Sequence, residues 1–160
     1  MKNNYFINKI KRVVEFLPVI WKGSDYDYIY AINLFEYQLK RTADYLDSDE
    51  ALSLDSKIQA RKIRTVLNLM DKVYNEKYLY EYMDTIERLY GEECTSIVPI
   101  EGTPIRYGLK VTHANAKDEE HEKEILEHKN LLSKLAYEKH EKAHRLLWKL
   151  IEHRIRRWWD

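Results

Sequence analysis

Apolar residues recur along most of this chain at intervals of three and four, the spacing that gathers side chains on one face of an α-helix. Phe6, Ile10, Val13, Val14 and Leu17 predict a first helix over 4–17, which Pro18 is expected to end or kink. Trp21, Lys22 and Gly23 read as a connector. Ser24 then stands where a helix cap belongs, with Asp27 in the reciprocal position. The second helix, over 25–47, carries one stripe of Tyr28, Ile32, Phe35, Leu39, Ala43 and Leu46. A second stripe of Tyr30, Leu34, Tyr37, Arg41 and Tyr45 lies about a third of a turn away. A helix with two apolar stripes is wedged between neighbours, so this one is expected at the centre of the fold.

After a polar break at 47–50, a third helix starts near 52–55 and carries Ile58, Ile63, Val66, Leu67, Met70 and Val73. Asn75 is a place for it to bend before Leu79, Met83, Ile86 and Tyr90 continue the stripe to Gly91, a fitting left-handed end. Residues 92–111 differ in kind: they hold two of the three prolines and two of the four glycines, and their apolar residues are mostly β-branched. They predict an ordered loop or a β-hairpin turning at 101–104. From 117 to 158 there is no Gly or Pro, and the helical period persists. One unbroken helix there would be roughly 60 Å long, against about 40 Å across for a compact domain of this size. It must break, protrude, or pair with a second copy in a homodimer. The expected fold is all-α: a single domain over 1–160, built as a four- to five-helix bundle with a short non-helical insertion near 92–111.

Composition narrows the class. Lys and Arg balance Asp and Glu at 27 each, so no global field draws in nucleic acid, which ranks low among partners. The balance holds globally but is uneven along the chain, since the N-terminal stretch and 139–157 are basic while 118–127 is acidic. Cys94 stands alone, so neither an internal disulfide nor a thiolate zinc site forms, and a reducing cytoplasm is the expected setting. Glu15 interrupts the apolar middle of the N-terminus, which argues against a signal peptide. No uncharged run approaches a membrane span, and no membrane partner is expected.

Candidate chemistry is thin. His140-Glu141-Lys142-Ala143-His144 matches the H-E-x-x-H zinc pattern, with His140 and His144 one turn apart. His153, nine residues beyond His144, points about 180° away, and no glycine turn returns a third ligand. His113, His121 and His128 lie near five acids, a set that reads better as a solvated acidic first turn favourable to the helix dipole. No metal or cofactor is expected. Asp25, Asp27 and Tyr28 sit at a helix start, where acids cap the helix and also suit a ligand cation. Arg61, Arg64 and Asn68 share a polar strip on the third helix, and Glu36, Lys40 and Arg41 share one on the second. The two strips either meet as ion pairs or face a cavity with tyrosines such as Tyr37 around them, an arrangement that suits phosphates and stacked bases. Thirteen tyrosines and four tryptophans supply stacking surface or core filler. Arg157 and Trp158 close the chain with a cation beside an indole, which fits docking of the last turn onto the bundle.

Asp25-Tyr26-Asp27-Tyr28, then 34–41 with Lys40-Arg41, Ile63-Arg64, Leu67, Met70 and Tyr74, and the terminal Trp158-Trp159-Asp160 resemble a family of small all-helical tailed-bacteriophage proteins. Those proteins carry an acid-aromatic-acid start and a final W-W-D. The family has no established activity, so the resemblance implies a viral setting in the cytoplasm of an infected bacterium rather than a mechanism. The expected function is therefore non-catalytic: an accessory, counter-defence protein that sequesters a small nucleotide-like ligand. Its site would draw on Asp25, Asp27, Tyr28, Tyr37, Lys40, Arg41, Arg61, Arg64, Arg157 and Trp158. The alternatives are an adaptor or inhibitor that grips a host protein through the long helix, and, below it, a metal-dependent hydrolase.

Overall fold

The computed structural model describes residues 2–23, 27–100 and 106–158, with backbone alone for 2–5 and 8. Among these residues the chain forms α1 (Lys2–Lys22), α2 (Tyr28–Asp47), α3 (Ser56–Tyr74), α4 (Lys77–Tyr90), β1 (Glu93–Pro99), β2 (Tyr107–His113) and α5 (Glu119–Arg154). A 3-10 turn, Ile155–Trp158, follows α5. The expectation of helices around a small insertion holds, and the insertion is a hairpin. Contacts divide the chain into two compact units, Met1–Tyr74 with Leu146–Asp160, and Asn75–Arg145.

In the first unit, α1 does not stop at Pro18 but continues to Lys22 with the proline inside it. Proline removes one hydrogen bond, to the carbonyl four residues back. Here that residue is Val14, more than half exposed, so water can satisfy the freed carbonyl. Asp27, rather than Ser24, is the residue seen capping α2: its Oδ1 accepts the Ile29 amide at 2.9 Å. Ser24 and Asp25 lie outside the described residues. Between the two helices, a Cβ on Gly23 would fall 1.9 Å from the Tyr30 ring, so only glycine lets the aromatic lie there. α2 packs against both α1 and α3, the central place its two stripes predict. α3 buries Ala60, Ile63, Val66, Met70 and Val73 at helical spacing, against Leu39 and Ala43 of α2 in the same unit. Leu39, Ile63 and Met70 are essentially fully enclosed, each stabilising the fold by about 1.5–3 kcal/mol. Leu147, Ile151 and Trp158 complete the buried set of this unit.

The second unit opens where the predicted third helix divides. Glu76 adopts φ +53°, ψ +24°, a left-handed conformation that separates α3 from α4. Gly91 ends α4 at φ +80°, with its amide bonded to the Glu87 carbonyl at 2.8 Å. The strands pair antiparallel from Glu93 opposite His113 to Pro99 opposite Tyr107. Most of the two strands is exposed, including the cross-strand pair Ile97 and Leu109; of their residues only His113 at the base is buried. The turn expected at 101–104 lies outside the described residues. α5 then runs 36 residues without a break, about 54 Å. Asp118 starts it by accepting the His121 amide at 2.8 Å, and Glu119, Glu120 and Glu122 in the first turn suit its dipole. No helix among the described residues is long and apolar enough to cross a membrane.

Candidate functional site

α1, α2, the α2–α3 connector, the start of α3 and the terminal 3-10 turn together wall a cleft of about 620 Å³ in the first unit. That volume falls within the usual range for small-molecule sites. Arg12 and Phe16 come from α1, and Gln38, Arg41, Thr42 and Tyr45 from α2. Asp55 and Gln59 stand at the start of α3, and Arg157 and Trp158 close the far end. Among the described residues, three arginines and one carboxylate line the cleft. The interruption at 47–54 is what makes room: α3 begins late, and Ala51, Leu52 and Ser53 of the connector border the cavity instead of filling it.

The cations are held differently. Arg41 lies 5.4 Å over the Phe16 ring and pairs with the Glu15 carboxylate. That hydrogen bond pushes the guanidinium pKa further above its ordinary value, against the opposing effect of burial. The Tyr37 hydroxyl donates to the Glu15 carbonyl at 2.8 Å, and its ring meets Phe16 edge-on at 5.0 Å. Tyr37 therefore fixes α1 on α2 and sets the Phe16–Arg41 stack. Arg12 and Arg157 are exposed, with no ion pair among the described residues.

The anionic and neutral lining is partly committed. Asp55 accepts from Ser53 Oγ at 2.6 Å and from Gln59 Nε2 at 2.7 Å, and these bonds hold its carboxyl below the usual carboxylate range. Gln59 Oε1 and Trp158 Nε1 are closed off from solvent without a hydrogen-bond partner among the described residues. One is an acceptor and the other a donor, and leaving such atoms unpaired costs about 1–3 kcal/mol each.

Of the residues singled out from sequence, Arg41, Arg157 and Trp158 line the cleft, and Tyr37 supports it from beneath. Asp27 is occupied as a helix cap and Tyr28 is largely exposed beside it. Both stand some 13 residues from Arg41, about 20 Å along α2. Lys40 and Arg61 are exposed and do not line the cleft. Arg64 is engaged across the α2–α3 contact, with Asp47 at 2.7 Å and Asp44 at 3.5 Å. Its hydrogen bond holds the Asp47 carboxyl below the usual range. Arg64 is thus bound to α2 as the ion-pair alternative expects, but through Asp44 and Asp47 rather than through the strip of Glu36, Lys40 and Arg41. Arg12, Phe16, Gln38, Tyr45 and Gln59 belong to the cleft and were not singled out.

The second unit holds the chain's other concentration of polar groups. Glu122, expected in a solvated turn, is buried. It accepts the His113 amide at 3.0 Å and pairs with His113 Nδ1 at 2.7 Å. Burial pushes its carboxyl up, but the hydrogen bonds from His113 outweigh this and leave it below its ordinary value. His113 Nε2 lies 3.8 Å from Glu93, which is bound to Lys129. Tyr90 bonds His128 Nδ1 at 2.8 Å. His140 and His144 share α5, and His140 Nδ1 is buried without a hydrogen-bond partner among the described residues. No group of three His, Cys, Asp or Glu side chains comes together for a metal among them.

Comparison with protein-family models, with curated proteins and with solved structures finds no match to this chain.

Proposed function

We propose that this chain is a non-catalytic binding protein that holds a small, planar, anionic ligand of the nucleotide type in the cleft of its first unit. The observation that carries the reading is the gathering of Arg12, Arg41 and Arg157 with Phe16, Tyr45 and Trp158 around one cavity. Arginine forks match phosphate oxygens in two-pronged geometry, and aromatic faces stack on a base. The lone donor of Trp158 and lone acceptor of Gln59 fit the edge of a heterocycle that presents both, once a small side-chain rotation opens them to the cavity. The remaining lining is the Gln38 amide, the hydroxyls of Thr42, Ser53 and Ser56, the aliphatic Leu46, Ala51 and Leu52, and the Asp55 carboxylate. Together with the resemblance to tailed-phage proteins, this favours an accessory role in the host cytoplasm: a sponge that removes a nucleotide-like signal.

Native mass spectrometry of the protein purified from infected cells, with the denatured mass beside it, tests the reading. The expected result is an excess mass of one nucleotide-sized ligand that disappears on denaturation. A bare chain that no nucleotide or cyclic dinucleotide stabilises against heat would sink it, since a tight ligand must raise the melting transition by mass action. A second reading, the host-protein adaptor, draws on Leu131 and Leu135, which lie one turn apart on α5 and are both more than half exposed. It predicts the bare chain together with a stoichiometric protein complex.

A further inference from the structure

Among the described residues, the side of α1 that faces away from α2 is left exposed. At 100° per residue, Phe6, Ile10, Val13, Val14, Leu17 and Trp21 fall in a sector about 100° wide. All six are exposed, Val13 by 62% and Trp21 by 89%. The opposite side carries Glu15 and Phe16, the residues that engage Arg41 and Tyr37 of α2. An apolar stripe of this length left in water marks an interaction surface.

Charge decides what covers it. Lys9 borders the stripe on one side, and Lys11 and Lys22 border it on the other; all three are exposed. Glu15 is the only acid in α1, and it is spent on Arg41. Two copies joined through this face would lay lysine border against lysine border, with no acid on the helix to relieve the repulsion. An anionic lipid surface is complementary on both counts. Its acyl boundary accepts the aromatic and aliphatic stripe, its headgroups meet the lysines, and long lysine stems reach up to them. We propose that α1 is an interfacial helix that lies on an anionic membrane. The expectation of no membrane partner came from the want of a spanning segment; a helix lying in the plane of the headgroups needs none. The surface is separate from the nucleotide cleft, so either reading can fail without the other.

The test is co-sedimentation of the full chain with vesicles of mixed phosphatidylglycerol and phosphatidylcholine, and with phosphatidylcholine alone. Binding to the anionic vesicles should be at least about tenfold tighter and should weaken with salt. Val13→Glu with Leu17→Glu should abolish it while the melting transition moves little, because both side chains are exposed. Lys11→Glu with Lys22→Glu, which leaves the stripe intact, should reduce it by roughly tenfold. Absence of pelleting with anionic vesicles overturns the proposal. So does a stable dimer in light scattering that the Val13→Glu, Leu17→Glu chain converts to a monomer, which would give the face to a second copy.

Discussion

The cleft of the first unit and the His113–Glu122 cluster of the second use similar groups to opposite ends. Around Glu122 the charges are matched within the same unit: the carboxylate takes two hydrogen bonds from His113, and Glu93 holds Lys129. His113 Nε2 is nonetheless buried without a hydrogen-bond partner among the described residues. Around the cleft, two arginines have no ion pair among the described residues, and an indole donor and an amide acceptor are buried unpaired. A satisfied cluster is part of the framework, because removing a member leaves a buried group stranded. A cleft with unspent charge suits the ligand-binding role proposed above.

The largest expected effect breaks the framework side. Glu122→Ala removes both acceptors that His113 uses and leaves a fully buried ring and amide without them. The second unit should lose roughly 3 kcal/mol, read as a lower urea midpoint by a probe within that unit. Nucleotide affinity should be unchanged. A large loss of affinity would show that the two regions are not independent.

Arg157→Ala should do the reverse. The side chain is exposed and packs little, so stability should move by no more than about 0.5 kcal/mol. Loss of a charge-assisted bond to a phosphate should weaken ligand binding by roughly tenfold or more, measured by titration calorimetry with the ligand identified by mass. Unchanged affinity would remove the terminal turn from the site.

The elements were legible in the chain because burial repeats with the helix period: Ile63, Val66, Met70 and Val73 of the stripe read from sequence are buried in α3, and α2 sits between two helices as its double stripe requires. Ile58 of the α3 stripe is exposed, however, and Ala60 is buried unannounced. Punctuation was less legible. Pro18 marks a stop only when its lost bond cannot be replaced, and on an exposed helix it can. The break between α3 and α4 falls beside Asn75, where a bend is expected, but the left-handed residue itself is Glu76, a side chain that does not announce one. The site was legible in part. Arg41, Arg157 and Trp158 stand out by residue type, whereas Arg12 and Gln59 join them only through the packing of α1 on α2 and the late start of α3. His113 and Glu122 misled for the same reason. Nine residues apart at a hairpin base and a helix start, they look like a wet acidic stretch until β2 folds the ring under the helix.

The smallest effect is the dependence on pH, and its sign separates the two regions again. Glu122 has a carboxyl pKa below its ordinary value of 4.5 in the folded chain. The unfolded chain therefore binds a proton first as pH falls. The stabilisation is fully present above about pH 4.5 and is lost as pH drops through the lower, folded value. Asp47 and Asp55 in the first unit shift in the same direction, but they are exposed, and water screens their pairs, so they should contribute little. Acid should then loosen the second unit before the first. The loss should be smaller than that of Glu122→Ala, since a protonated carboxyl still fills its space and accepts one bond. Glu122→Gln isolates the effect. It removes the titrating group while keeping the shape, so the difference in stability from the parent chain should be present at pH 7 and shrink towards pH 3. A difference that stays constant over that range would mean the carboxylate is not what His113 relies on, and would return Glu122 to the role of ordinary helix-start acid.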